Sequence, residues 1–380
     1  MGKGEGITNN LLLSVLYRNI TVVRCLSHID TEGVRERVRI YLIDWMFCVT
    51  IDKQEIADVM KGDMRLRIIV TGGAGFIGSH IVDTYIGAGH DVLVLDDLST
   101  GKMANLNTKA SFEQVDIRDR DKIASLFKRF SPQIVNHHAA QIDIRRSIAA
   151  PIFDTEVNVL GTVNLLHQSV NRNVKGFIFA SSGGAIYGET STPAAEGNPK
   201  APISPYGAAK AAIEYYLFAY MHTFKLETLA LRYGNVYGPR QDPRGEAGVI
   251  SIFAEKLLAN ETPTIFGTGK QLRDYIFVKE VARANLLATD YLLSGLPMGL
   301  TPDERALNIA TGHSLSVNDL FTHLAEITDF NKGPFYGKAR PGELMESRLD
   351  VTRADKKLGF TAETSLVRGL AEVVAWLRKK

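Results

Sequence analysis

The segment Met64-Arg-Leu-Arg-Ile-Ile-Val-Thr-Gly-Gly-Ala-Gly-Phe-Ile-Gly78 constrains this chain more than any other. A short apolar run, Ile68 to Val70, meets glycines at 72, 75 and 78, and a helical pattern follows from Phe76. Backbone without Cβ can turn tightly there and let a pyrophosphate reach the first turn of the helix. The open N–H groups and the positive end of the helix dipole then hold the phosphate charge. In a chain with 33 glycines the spacing alone is a weak signal. Its place between a strand and a helix, with a carboxylate ending the next strand, completes the dinucleotide fingerprint. That strand runs from Asp91 to Leu95 and ends on Asp96-Asp97. A carboxylate there accepts the ribose hydroxyls and repels a 2′-phosphate. Lys102 is the one nearby cation, and no arginine lies within the next several residues. The expected cofactor is therefore NAD, held by Gly72, Gly75, Phe76, Ile77, Gly78, Asp96 and Asp97, with Ser99, Thr100 and Gly101 in the turn beyond. The bland reading is a solvated Asp pair after a strand.

At 380 residues the chain can form one large or two ordinary domains. A formal net charge of +2 gives no reason to expect nucleic acid or an anionic membrane as partner. No apolar run reaches the length of a membrane span: Leu11 to Tyr17 is short, and Val38 to Ile51 contains Arg39 and Asp44. Lys3 precedes an apolar stretch without a small-residue cleavage site, so no secretory signal is expected. The two cysteines, Cys25 and Cys48, both precede Met64, which leaves the rest without disulfides, thiolate metal sites or cysteine nucleophiles. The expectation is a soluble, cytoplasmic protein with no metal.

Residues 1–63 lack the strand–turn–helix grammar of the chain beyond them, whereas Met64-Arg-Leu-Arg-Ile resembles a natural start. They read either as an added helical or partly ordered head or as an upstream in-frame segment foreign to the native protein, the second being favoured. From Met64, strands are predicted at Arg67 to Thr71, Asp91 to Leu95, Ser111 to Val115, Ile134 to His137, Gly176 to Ala180 and Glu227 to Arg232. Helix-length stretches lie between them, such as Ile77 to Ile86, Asp119 to Phe130, Pro151 to Asn171 and Tyr206 to Phe224. This alternation calls for an α/β fold, a Rossmann-like doubly wound parallel sheet with helices on both faces. After Tyr233 the pattern becomes irregular. The expected division is a dinucleotide-binding domain over 64–235 and a smaller substrate-binding lobe over 236–380, with some segments returning to the first domain. A ligand belongs over the carboxyl ends of the strands, between the lobes.

Tyr206-Gly-Ala-Ala-Lys210 opens a helix after Ser204-Pro205. Positions i and i+4 share a helix face, so a phenol and an ammonium can address one point. A free phenol titrates near ~10, and service as a base at pH 7 needs a shift of roughly three units, about 4 kcal/mol. A nearby ammonium and a positive nicotinamide ring both favour phenolate; Lys210 can also hold the nicotinamide ribose. A second Tyr-x-x-x-Lys, Tyr275 with Lys279, lies in a run that reads as strand, where i and i+4 stand roughly 13 Å apart. Only the first pair has usable geometry. The third member comes from Ser181-Ser182, where a hydroxyl can orient the reacting oxygen; Ser182 is preferred over Ser181. Read alone, the two are turn serines. The pair His137-His138 follows a buried strand and needs no metal.

Together these residues resemble the extended short-chain dehydrogenase/reductases, and within them the UDP-glucose 4-epimerases. The resemblance runs from Met64 to the C-terminus through Thr71–Gly78, Asp116-Ile117, His138-Ala-Ala-Gln141, Asn158, Ser181-Ser-Gly-Gly-Ala-Ile-Tyr-Gly188, Tyr206 to Lys210 and Leu231-Arg-Tyr-Gly-Asn-Val-Tyr-Gly-Pro239. It implies adenine contacts at Asp116 and Ile117, and a cofactor wall of Ala139, Ala140, Gln141, Asn158, Tyr233 and Val236. Ile142 departs from the lysine that some epimerases carry on the cofactor. For the substrate it implies Arg273 and Arg340 on the diphosphate, since a guanidinium fork bonds phosphate bidentately. Glu343 is implied on the uridine ribose, Phe266 on the uracil, Asn235 on the sugar or diphosphate and Val249 beside them. Related dehydratases carry an acidic pair after the serine or threonine; Gly183 and Gly184 stand there here and argue against water elimination.

The expected activity is that of an isomerase: NAD-dependent epimerisation at C4 of a UDP-hexose through a transient 4-keto sugar. The alternatives are another enzyme on nucleotide sugars (dehydratase, reductase, uronic-acid epimerase or decarboxylase) and a non-catalytic NAD-binding sensor, which would need no base. The helix from Tyr206 continues as Ala211-Ala-Ile-Glu-Tyr-Tyr-Leu-Phe-Ala-Tyr-Met221, apolar nearly all round with Glu214 almost alone. A second apolar face needs a second cover. By the resemblance, that cover is a partner subunit in a two-fold four-helix contact with the helix near Phe153 to Leu166, giving an isologous homodimer. The competing cover is the head, residues 1–63.

Overall fold

The computed structural model describes residues 37–41, 48–52, 65–190, 192–243, 248–295, 301–339 and 344–380. Met1–Arg65 and Leu66–Lys380 form two separate compact units. In the first, Arg37–Tyr41 and Cys48–Asp52 pair as antiparallel strands, where one of the two readings of the head expects helix or partial order. The rest of that expectation lies outside the described residues.

In the second unit a seven-stranded sheet is formed by β1 (Arg67–Thr71), β2 (Asp91–Asp96), β3 (Ser111–Gln114), β4 (Ile134–His137), β5 (Gly176–Ser182), β6 (Glu227–Tyr233) and β7 (Ala306–Ile309). Its spatial order is β7-β6-β5-β4-β1-β2-β3, and every pairing is parallel. The order reverses between β1 and β4, so a crevice opens at their carboxyl ends. Ile68, Ile69 and Val70 are fully buried, as a strand covered on both faces requires.

One face carries α2 (Arg120–Phe130), α3 (Thr162–Asn171) and α4 (Pro205–Phe224). They press Ile123, Phe127, Leu165, Leu166, Ile213 and Leu217 onto Phe177 and Phe179 of β5. The opposite face carries α1 (Phe76–Gly87) and α5 (Val278–Leu293), which bury Ile81, Val82 and Tyr85 beside Ala282, and Val281 and Ala284 beside Ile178. The segment beyond 235 thus returns to the sheet through α5 and β7. Helices Val249–Leu258, Val317–Thr328 and Leu366–Leu377 pack on one another around Phe253, Leu320 and Leu370, a separate apolar cluster.

The predicted helix Pro151 to Asn171 is broken. Pro151–Thr155 is α-helical, Glu156–Gly161 forms a π turn centred near Asn158, and α3 resumes at Thr162. Such single-turn insertions gather at functional sites.

Candidate active site

Three glycines shape the β1–α1 loop for different reasons. Gly72 has φ +68°, and a Cβ there would lie 2.6 Å from the Ala139 nitrogen. A Cβ on Gly78 would fall 2.2 Å from the Gly72 carbonyl oxygen, so strand and helix can approach only without it. Gly75 caps α1 with no side-chain hydrogen bond, and a Cβ there would meet only the Gly72 oxygen, at 3.1 Å. The first N–H groups of α1 therefore carry no side-chain cap, as a bound pyrophosphate requires. The loop fits a dinucleotide.

Asp96 ends β2 at 6 % exposure, so its role is partly structural. One carboxylate oxygen accepts from Ala74 N–H at 3.0 Å and the other from Leu98 N–H at 2.8 Å. It braces the glycine loop against the turn of Ser99, Thr100 and Gly101, where a Gly101 Cβ would strike it at 2.6 Å. Burial pushes its pKa up. Asp97 is the exposed carboxylate of the pair and holds Ser99 through its N–H and hydroxyl at 2.9 and 2.6 Å. Lys102 is bonded to Asp242 at 2.7 Å, and Arg118 is a second cation close enough to interact with Asp97.

The cofactor wall is tied together from behind. Arg118 bonds Asp116 at 2.6 Å and holds its carboxyl below the usual range. Ile117 is buried against Gly161, where a Cβ would lie 2.7 Å from the isoleucine. Ala139 N–H donates to Thr71 Oγ1 at 3.2 Å. Three side chains expected to face the cofactor are turned inward. Asn158 accepts from Gln141 N–H at 2.9 Å and donates to the Gln141 carbonyl and to Asp154, at 2.9 and 3.0 Å. Gln141 donates to Asp154 and to the Asp143 carbonyl, both at 2.9 Å. The Tyr233 hydroxyl lies 2.9 Å from His138 Nε2 and 2.9 Å from Asn285 Nδ2. Buried amides and hydroxyls must find partners, and these find them within the wall. His137 is held between Thr71 and Thr162 at 2.6 and 2.8 Å.

Helix α4 starts where Ser204 caps it, its hydroxyl accepting from Gly207 N–H at 3.1 Å, with Pro205 in the first turn. That start puts Tyr206 at the mouth of the crevice. The Ser182 hydroxyl is near enough to favour the charged form of Tyr206, whereas Ser181 turns away and donates to Glu214 at 2.7 Å. The structure thus favours Ser182 over Ser181. Lys210 Nζ donates to the Ala180 carbonyl at 2.8 Å and lies 5.7 Å from the centre of the Tyr206 ring. Burial dominates and pushes Tyr206 up to about 12, with the Ser182 hydrogen bond working the other way. Burial likewise lowers Lys210 to about 8, opposed by Asp154 and Glu214. The second Tyr-x-x-x-Lys is split: Tyr275 is buried in the strand Tyr275–Phe277, and Lys279 pairs with Glu372 at 2.6 Å.

On the substrate side, Asn235 opens the strand Asn235–Tyr237, which pairs with Tyr275–Phe277, and Arg273 ends Leu272–Arg273 in a separate three-stranded sheet; Asn235 N–H is bonded to the Asp274 carbonyl at 2.7 Å. A Gly184 Cβ would lie 3.5 Å from Ser347 Oγ and 4.0 Å from Asn235 Oδ1, so these groups meet beside Ser182. A Gly183 Cβ would lie 2.5 Å from the Leu349 side chain, so a larger residue there would displace Leu349. Arg273 is half-buried, with Nη1 donating to the Leu272 carbonyl at 2.9 Å. Phe266 is 38 % exposed and Val249 opens its helix half-buried. Arg340 and Glu343 lie outside the described residues. Sequence reasoning missed Ser347, Leu349 and Asp274. The last is buried and accepts from Thr311 and Gly312, and its only signal is an acidic residue inside an apolar run.

The profile of the NAD dependent epimerase/dehydratase family matches residues 68–299. The chain belongs to this family. It is 44% identical over 313 residues to a putative UDP-glucose 4-epimerase of Methanocaldococcus jannaschii, covering 82% of this chain and 98% of that one. The crystal structure of a UDP-glucose 4-epimerase with UDP-glucose from Thermotoga maritima aligns with TM-score 0.78 at 45% identity, over 83% of this chain and 99% of that one. A UDP-glucose 4-epimerase of Thermus thermophilus in complex with NAD aligns with TM-score 0.75 at 39% identity, over 82% and 99%. The family's fold and its NAD dependence agree with the glycine loop and the sheet order.

Proposed function

We propose that this protein is an NAD-dependent isomerase that interconverts UDP-glucose and UDP-galactose at C4 through a 4-keto sugar. The observation that carries the reading is the meeting of Ser182, Tyr206 and Lys210 at the carboxyl end of β5, beside Gly183 and Gly184, which supply no acidic side chain. NAD, when bound, supplies a reversible hydride acceptor. Tyr206 takes the proton from the C4 hydroxyl and later returns it, and Ser182 orients both oxygens through its hydroxyl. Lys210, a buried ammonium bonded to Ala180, keeps two further N–H groups for the nicotinamide ribose. Burial raises the phenol further above neutral pH, and positive charge in the site favours the phenolate. Asp96 and Asp97 hold the adenosine ribose, and Asp116 and Ile117 the adenine. Ala139, Ala140 and Val236 line the cofactor, while Gln141, Asn158 and Tyr233 stiffen that wall. Asn235, Arg273, Phe266 and Val249 are assigned to the UDP-sugar, and the same role is proposed for Arg340 and Glu343 from the sequence alone.

A homodimer is part of the proposal. Helix α4 leaves Tyr215 57 % and Tyr216 43 % exposed, and the adjacent Pro151–Gly161 segment leaves Ile152 76 % and Leu160 55 % exposed. Contiguous apolar side chains of this size mark interaction surfaces. Among the described residues no helix is long and apolar enough to cross a membrane, and the cytoplasm is the proposed location. Incubation with UDP-glucose, UDP-galactose and their N-acetyl forms, each without added NAD, tests the reading. Interconversion of the 4-epimers supports it, and net NADH or a dehydrated product overturns it.

A further inference from the structure

Three successive residues of β5 face three side chains of α4 spaced four apart. The Ala180 carbonyl accepts from Lys210 at 2.8 Å, Ser181 donates to Glu214 at 2.7 Å, and Ser182 adjoins Tyr206. Residues i, i+4 and i+8 lie on one helix face, so Glu214 continues the row of Tyr206 and Lys210. Glu214 is itself clamped by Arg232, which donates from Nε at 2.9 Å and from Nη2 at 2.6 Å. Arg232 stands directly across from Ser181 in the β5–β6 ladder. Ser181, Glu214 and Arg232 are 3 %, 2 % and 0 % exposed. Arg232 is held in turn by the Tyr187 hydroxyl, the Glu196 carbonyl and Asp303. The ion pair is thus complete without Ser181, whose hydroxyl is what carries the clamp onto β5.

We propose that Ser181 is a positioning residue, which joins β5 to the Glu214–Arg232 pair and so fixes the register of α4 that sets Tyr206 against Ser182. Strand alternation sends Phe177, Phe179 and Ser181 toward α4. Ser182 lies one residue beyond the last side chain held by that face. Without the Ser181 tie, the strand end that carries Ser182 loses a fixed link to the helix that carries Tyr206. A misplacement of about an ångström at a reacting centre can lower a rate about a hundredfold.

This inference rests on the epimerase reading, and the test separates the two. Ser181→Ala leaves Glu214 paired to Arg232, so the folded protein should survive. Its kcat should fall about 10- to 100-fold, with the KM for UDP-glucose within about twofold. The acidic limb of its kcat profile should move to higher pH, because a looser Ser182 hydrogen bond stabilises phenolate less. Ser181→Thr, which keeps the hydroxyl, should restore both. Should Ser181→Ala fail to fold, Ser181→Cys, of similar size with a weaker donor, should show the same displaced limb. An unmoved kcat and limb, or equal loss in the Ala and Thr proteins, overturns the proposal. An inactive wild type overturns the epimerase reading instead. Ultraviolet titration of Tyr206, taken as the difference from Tyr206→Phe, then decides the clamp: an unchanged titration in Ser181→Ala overturns it.

Discussion

Tyr206 sits where burial opposes its charge, and Ser182 is the neighbour whose hydrogen bond acts in favour of the phenolate. Tyr206→Phe is expected to lower turnover by orders of magnitude while bound NAD is retained, since only the ionisable oxygen is lost. Tyr275→Phe should leave turnover nearly unchanged, because that ring is buried in a strand of the second apolar cluster; equal losses in steady-state assays would contradict the assignment. The aspartates divide in the same manner. Asp96→Ala should weaken NAD retention and lower the melting temperature together, because two backbone N–H groups lose their acceptor. Asp97→Ala, at an exposed position, should weaken NAD affinity with no change in melting; calorimetric titration and thermal unfolding measure both. The Tyr206 and Lys210 pair was legible from helix spacing, and Ser182 from its strand end. The direction of the Tyr206 shift was not, because burial depends on side chains distant in sequence. Nor were the inward turns of Gln141, Asn158 and Tyr233, whose partners Asp154 and Asn285 carry no motif.

At the scale of elements, the β1–α1 unit was readable because each glycine answers a local backbone demand. Gly78→Ala should abolish NAD binding and lower stability, since its Cβ would lie 2.2 Å from the Gly72 oxygen; Gly87→Ala, in open space on the same helix, should do neither. Fluorescence titration with NADH and thermal unfolding check the pair. Six strands of the sheet were legible as short apolar runs between helical patterns, with ends displaced by a residue or two, whereas β7 at Ala306–Ile309 lies in the irregular stretch beyond Tyr233 and was not. The π turn at Glu156–Gly161 was not; within it Asn158 is held by Gln141 and by Asp154, and Asp154 carries no motif. The short strands around Arg273 were equally hidden, since each is held by pairing with distant chain such as Leu315–Ser316 and Glu346–Ser347.

For the whole molecule, buried histidines link stability to pH. Burial lowers His80 to about 4 and His138 to about 3, and His137 falls well below its usual value. The unfolded chain binds protons at these groups below about 6.5. Stability is therefore full above that pH and is lost progressively as pH falls toward 4 and then 3. For His80 the loss is about 3 kcal/mol, a factor of a few hundred in the folding equilibrium. Denaturant unfolding between pH 7 and 4 should show the fall, and His138→Phe should flatten it; an unchanged slope would contradict the burial account. Sedimentation should find a dimer, and Tyr215→Glu with Ile152→Glu should yield monomers, because charge on an apolar contact is not tolerated. Epimerisation on bound NAD by Tyr206 is checked most directly by incubating purified protein with UDP-glucose alone, without added cofactor, and following UDP-galactose and NADH together. UDP-galactose should rise to equilibrium with no accumulation of NADH, and neither change should occur in Tyr206→Phe. Net NADH from the wild type, or UDP-galactose from Tyr206→Phe at the wild-type rate, would contradict that chemistry.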